Sequence, residues 1–181
     1  MRTLAIRAAA LWIVLGGAFS ECTNAPESPT EQPLTAPRAD VTDLSSLTPL
    51  VCPTTVTQQS YVGLVGLLGG RVTLGRNQLS IPLGAVLSLT EFQITLPAGD
   101  AVEADVSAVG LGSFLFNAPV SITIDYSRCA PEAIPTGANL QVVYIDSQTK
   151  QMLAAMGGAN NPWARTITFQ TSHLSGYEVA Y

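Results

Sequence analysis

At 181 residues the chain has room for one domain of ordinary size with short appendages, and a 47% hydrophobic composition is ample for a single core. Eight Lys and Arg stand against 13 Asp and Glu, a net charge of −5, and no basic run is present to track a phosphate backbone, so nucleic acid is excluded as an expected partner. Charged residues make up only 12%, and Ser, Thr, Asn and Gln carry most of the polarity, a balance that suits a secreted β-protein.

Taken in chain order, Arg2 and Arg7 form a short positive region, residues 8–19 an apolar run, and the small residues Ala18 and Ser20 precede Glu21. This order predicts an export signal over residues 1–21. The run falls short of the roughly 20 residues a spanning helix needs, which favours a removable signal over a permanent anchor. Two processing routes stand side by side. Cutting after Ser20 satisfies the small-x-small rule and leaves a freely secreted, extracellular chain beginning Glu21-Cys22. Alternatively, Cys22 carries a lipid: this N-terminus resembles that of bacterial lipoproteins, in which a Pro/Thr/Glu-rich tether follows the Cys directly. That resemblance implies a lipid-anchored protein of the cell envelope, with the membrane reached only through Cys22.

Residues 22–50 are rich in Pro, Thr, Ser, Ala and acids, with Pro26, Pro29, Pro33, Pro37 and Pro49 punctuating them and no apolar periodicity. The expectation is a disordered tether that acts as a spacer. From Val51 to Tyr181 the pattern changes to short runs of period two. Within residues 69–86, Val72-Thr73-Leu74 and Leu79-Ser80-Ile81 flank a Gly75-Arg76-Asn77 turn and stop at Pro82-Leu83-Gly84, which predicts a hairpin and a forced bend.

Residues 120–126 are the cleanest strand, with every even-numbered residue apolar and every odd one polar. Weaker runs cover residues 92–96, 101–107, 113–116, 140–146, 151–155, 165–170 and 176–181. Residues 157–162 read as the plainest loop and 131–137 as another. About nine or ten short strands without a helical period predict an all-β antiparallel sandwich over residues 51–181. Cys52 and Cys129 sit at the edges of domain segments and are expected to pair, leaving Cys22 as the odd cysteine; two buried thiols are the alternative.

The order of pieces resembles the ZU-5 domain, a β-sandwich module of ankyrins, netrin receptors, zonula occludens proteins and bacterial exported proteins. Gly69-Gly70 followed by Ile81-Pro82-Leu83-Gly84-Ala85 resembles its opening strand pair and Ile-Pro-x-Gly-Ala bend. Phe116-Asn117-Ala118-Pro119-Val120 with the strand behind it resembles its centre, and Ser172-His173-Leu174-Ser175-Gly176-Tyr177 a step near its end. The resemblance spans residues 62–181 and implies an interaction or structural unit rather than an enzyme.

His173 is the only histidine. In some relatives of this module, and in the similar autoproteolytic domain of adhesion receptors, a His-x-Ser/Thr step cuts its own backbone. By that resemblance His173 would take the proton of Ser175, whose oxygen would attack the Leu174 carbonyl, and the ester would then hydrolyse. The competing reading is a bend held by Ser and His hydrogen bonds to its own backbone.

Asp100, Glu103 and Asp105 form the one acidic cluster of the domain, and the alternation with Val102, Ala104 and Val106 predicts a solvated strand face rather than a calcium site. No zinc set, Cys-x-x-Cys pair, serine elbow or phosphate loop is present, so no cofactor is expected. Trp163, Tyr144 and Tyr177 are a candidate sugar-stacking platform, with partly buried aromatics as the simpler account. The sequence thus predicts a non-catalytic module that contacts an unknown protein or surface glycan, with self-cleavage and carbohydrate binding as alternatives.

Overall fold

The computed structural model describes residues 43–181. The expected signal over residues 1–21, Cys22 and the tether as far as residue 42 lie outside the described residues. The strands are β1 (Val51–Val56), β2 (Gln59–Val65), β3 (Gly70–Leu74), β4 (Asn77–Ile81), β5 (Thr90–Leu96), β6 (Gly99–Ala101) and β7 (Glu103–Ala108). They are followed by β8 (Leu115–Asp125), β9 (Gln141–Ile145), β10 (Met152–Gly157), β11 (Ala159–Asn161), β12 (Thr166–His173) and β13 (Gly176–Ala180). The described residues are all-β with antiparallel pairing throughout, in a sandwich-like arrangement of a six-stranded sheet, β10-β9-β13-β7-β5-β2, and a five-stranded sheet, β11-β12-β8-β4-β3. A third ribbon pairs β1 with β6.

Alternation dictates which face is buried. In β8 the apolar Val120, Ile122 and Ile124 point inward, and register sets Val72, Leu79, Ile122 and Phe169 in one row across β3, β4, β8 and β12. Opposite sits the inner face of the larger sheet, Phe92, Ile94, Val106, Tyr177 and Val179, and one continuous core joins the two. The Phe92, Phe114 and Phe116 rings pack against one another at 5.0–5.5 Å between centroids. Cross-strand rows of this kind are the unit that stabilises a sheet.

The expected hairpin is β3–β4, closed by Gly75 at φ +62° in the first central position of a two-residue turn, so Asn77 belongs to the strand and not to the turn. Buried Asn77 accepts the amide of Asp125 at 2.9 Å and donates to the Leu74 carbonyl, fastening hairpin to β8. Pro82 closes the expected bend through the Ala85 amide. Cys52 and Cys129 are joined as a disulfide across a sequence separation of 77, with Cα atoms 4.5 Å apart. Beside it Arg128 donates to the carbonyls of Thr54, Asp100 and Ala101, and Arg165 to those of Ser127 and Cys129.

Four expectations need correcting. Residues 113–116 and 120–126 are not separate strands: from Leu115 they are one, β8, which carries Pro119 at an irregularity in its pairing with β12, where a missing amide costs little. The run 101–107 is instead broken at Val102, whose amide donates to the Leu50 carbonyl. Part of the expected loop 157–162 is strand β11, paired with β12.

The domain also begins upstream of residue 51. Leu50 is fully buried, its amide donates to the Val179 carbonyl, and Thr48 exchanges two hydrogen bonds with Tyr181. Just before them, the short 3-10 turn Leu44–Ser46 is capped by the Asp43 side chain, and Leu47 packs with Val143, Ile145, Ala180 and Met152 on the outer face of the larger sheet.

Candidate functional site

The His173-Leu174-Ser175 step links β12 in one sheet to β13 in the other. A pairing irregularity after Thr171 tightens the turn, and a polar knot holds it: Tyr177 donates to the His173 carbonyl at 2.6 Å, and the Thr171 hydroxyl takes the His173 amide at 3.2 Å. Burial pushes the Tyr177 hydroxyl up to about 12, which keeps it a donor.

His173 turns its Nδ1 to Thr171 Oγ1 at 3.2 Å and its ring edge-on to Tyr144, while Ser175 Oγ lies 3.5 Å from the Ile145 carbonyl. The two side chains line separate cavities, His173 with Pro119, Met156 and Gln170, and Ser175 with Asp105, Ser147 and Phe114. The structure therefore does not bring the expected proton acceptor to the expected nucleophile. None of the three residues takes a positive φ. The bend is held mainly by Thr171 and Tyr177, outside the tripeptide, rather than by Ser172 or the histidine ring.

Nor are the three aromatics one platform. Tyr177 is fully buried in the core, Tyr144 leans on His173, and Trp163 stands 97% exposed on the turn between β11 and β12.

The acidic face is where the sequence misleads most. Val102, Ala104 and Val106 do point inward, yet the Glu103 side chain on the other face is only 7% exposed. Register sets Glu103 directly across from Glu178 of β13, itself 6% exposed, and Lys150 from the β9–β10 turn pairs with Glu103. Burial raises both carboxyls. Glu178, with the Glu103 charge beside it, is pushed up to about 7, against the opposing pull of Lys150. Asp105 accepts the Ser147 hydroxyl at 2.7 Å, and Asp100 remains exposed. Among the described residues no group of three or more His, Cys, Asp or Glu is placed to hold a metal ion.

A second surface gathers at the end of the fold where β2 turns into β3. Leu67 and Leu68 form that turn, which requires Gly69 at φ +73°, because any Cβ there would strike the Ile81 carbonyl. Gly84 of the proline bend donates to the Leu67 carbonyl at 2.8 Å, and Asn117 at the start of β8 donates to Ala85 at 3.0 Å, so the loops are stitched side by side. They present Leu68 at 83% exposure, Leu115 at 76%, and Leu83, Leu87 and Leu89 nearly as open. Tyr61, Val62 and Leu64 along the β2 edge are exposed as well. Exposed apolar groups gathered in this way mark interaction surfaces.

No family model matches the sequence, and no curated protein matches it. No helix of the described residues is long and apolar enough to cross a membrane.

Proposed function

We propose that the chain is a non-catalytic interaction or structural module, a β-sandwich of the ZU-5-like type, exported and held at the cell surface through Cys22 or released from it. The leucine-rich end and the adjoining β2 edge are its contact surface. That surface is the observation that carries the reading: leucines set in turns, and Leu115 at the exposed start of β8, contribute little to the core and cost solubility unless a partner covers them. The partner is a protein with a complementary apolar face. Leucine offers a sugar neither hydrogen bonds nor a stacking plane, and Arg71 and Arg76 are the only basic residues between Arg38 and Arg128, too few to draw the leucines onto an anionic bilayer.

Affinity capture from the exporting host with the wild-type chain and a Leu68→Ser/Leu87→Ser/Leu115→Ser variant tests the reading. A partner held by the first and released by the second supports it, provided both melt alike. The same proteins on both, or sedimentation of the wild type with vesicles instead, overturns it. Absence of catalysis is checked by intact mass, where wild type and Ser175→Ala are expected to show the same uncut link between Leu174 and Ser175.

A further inference from the structure

We propose that the cavity above the Glu103 and Glu178 carboxylates binds an organic cation, an ammonium or guanidinium group carried on an apolar stem. The cavity, open on one side, holds about 380 Å³, the size of a small-ligand site, and shares no residue with the leucine surface. Its acid floor is built by two adjacent strands: β7 supplies Glu103, and β13 supplies Glu178 directly opposite. Its walls are the apolar Pro49, Val51, Pro97 and Ala101, two segments tied together by the pairing of β1 with β6.

Lys150 compensates Glu103, whereas Glu178, a residue only 6% exposed, makes no side-chain hydrogen bond or ion pair among the described residues, and its carboxyl is reached from the cavity rather than sealed in the protein. A carboxylate so largely withdrawn from water and open only on its cavity side is costly to ionise without a partner, and one positive charge delivered from the cavity would relieve it. A divalent metal fits poorly. It would meet the Lys150 ammonium at close range, and calcium would need six to eight oxygens where two carboxylates face it. An alkyl-ammonium or guanidinium instead places one charge at Glu178 and lays its stem along the prolines and Val51, as long basic side chains do elsewhere.

Because the cation binds the ionised carboxylate, binding and proton release are linked. The groups facing Glu178 in the cavity are Glu103, Lys150 and, at the rim, Asp100. With Glu178 titrating at about 7, lowering the pH from 8 to 5.5 is expected to weaken binding roughly thirtyfold.

The test is calorimetric titration of the full chain at pH 8 with pentylammonium, with a Gly-Gly-Lys-Gly-Gly peptide and with its norleucine counterpart, and with calcium alone. Heat from either cation but not from the norleucine peptide, lost at least tenfold in Glu178→Gln and weakened at pH 5.5, supports the proposal. Tighter binding of the peptide assigns the cation to a protein side chain, and tighter binding of pentylammonium to a free amine. Equal binding of the norleucine peptide, undiminished binding by Glu178→Gln, binding of calcium in place of the amines, or silence from both cations overturns it. A carbon-13 titration of the Glu178 carboxyl in the wild type gives an answer free of any folding defect in the variant: saturating cation must lower its midpoint.

Discussion

Strands β13 and β2 belong to one sheet, but β13 lies between β9 and β7 with all five residues buried, whereas β2 forms an edge with five of its seven residues exposed. The difference comes from what the chain lays over each. Ahead of β1, Leu47 packs in a small second core on the outer face at β13, and residues 48–50 pair alongside residues 179–181, leaving Glu178 among partly paired charges. Nothing among the described residues covers the outer side of β2, where the turns end in leucine. In the closed region burial tunes the charge of a side chain; in the open region exposed area is left for a partner.

Substitutions on the two sides should therefore behave differently. The largest effect is expected on the closed side, from Cys52→Ser with Cys129→Ser. Opening a loop of 77 residues should lower stability by about 4–5 kcal/mol, read as a drop in the urea midpoint, while a midpoint that stays put would mean the bridge adds nothing. Next comes Ile122→Ala, at the middle of the cross-sheet row. It should cost about 3 kcal/mol in the same assay, and a loss below 1 would show that the row collapses around the gap.

The pH dependence is smaller and has a definite sign. Glu178 has its ordinary value of 4.5 in the unfolded chain and about 7 when folded, so the folded state holds the extra proton between those values. Stability contributed by this group is full below about 4.5 and falls as pH rises towards 7, and Glu178→Gln should flatten that slope. A wild type whose stability rises across the window would contradict the burial of this carboxyl. On the open side, Leu68→Ser or Leu115→Ser should leave stability nearly unchanged, within about 0.5 kcal/mol by urea unfolding, while abolishing partner capture. A leucine substitution that unfolded the chain would place that residue in the core after all.

Local signals in the sequence reached the elements that local chemistry decides. Residues 120–126 alternate without exception, Gly75 turns a hairpin that Pro82 ends, and Cys52 and Cys129 at the edges of domain segments are expected to pair and do. The elements missed were those whose strand character depends on neighbours. Ala159, Asn160 and Asn161 have no strand preference and become β11 only because β12 offers its edge. Leu50 reads as the end of a Pro-rich tether and is buried only because Val179 and Val102 are there to bond it. The carboxylate pair was hidden for the same reason, because Glu103 and Glu178 meet by register across a sheet. No local pattern marks the leucines of the open end, and only the placement of the turns and of the start of β8 shows that they face outward together.

The pairing of Thr48 with Tyr181 and of Leu50 with Val179 also determines how the domain would carry a load. A pull applied through the chain upstream of Asp43 acts first on these few hydrogen bonds, which open one after another like a zip. The release travels no further than Cys52, where the covalent link to Cys129 passes the force to the segment behind β8 and to the carbonyls gripped by Arg128. The segment ahead of Cys52 can therefore yield as a short spring while the sheets behind it stay folded.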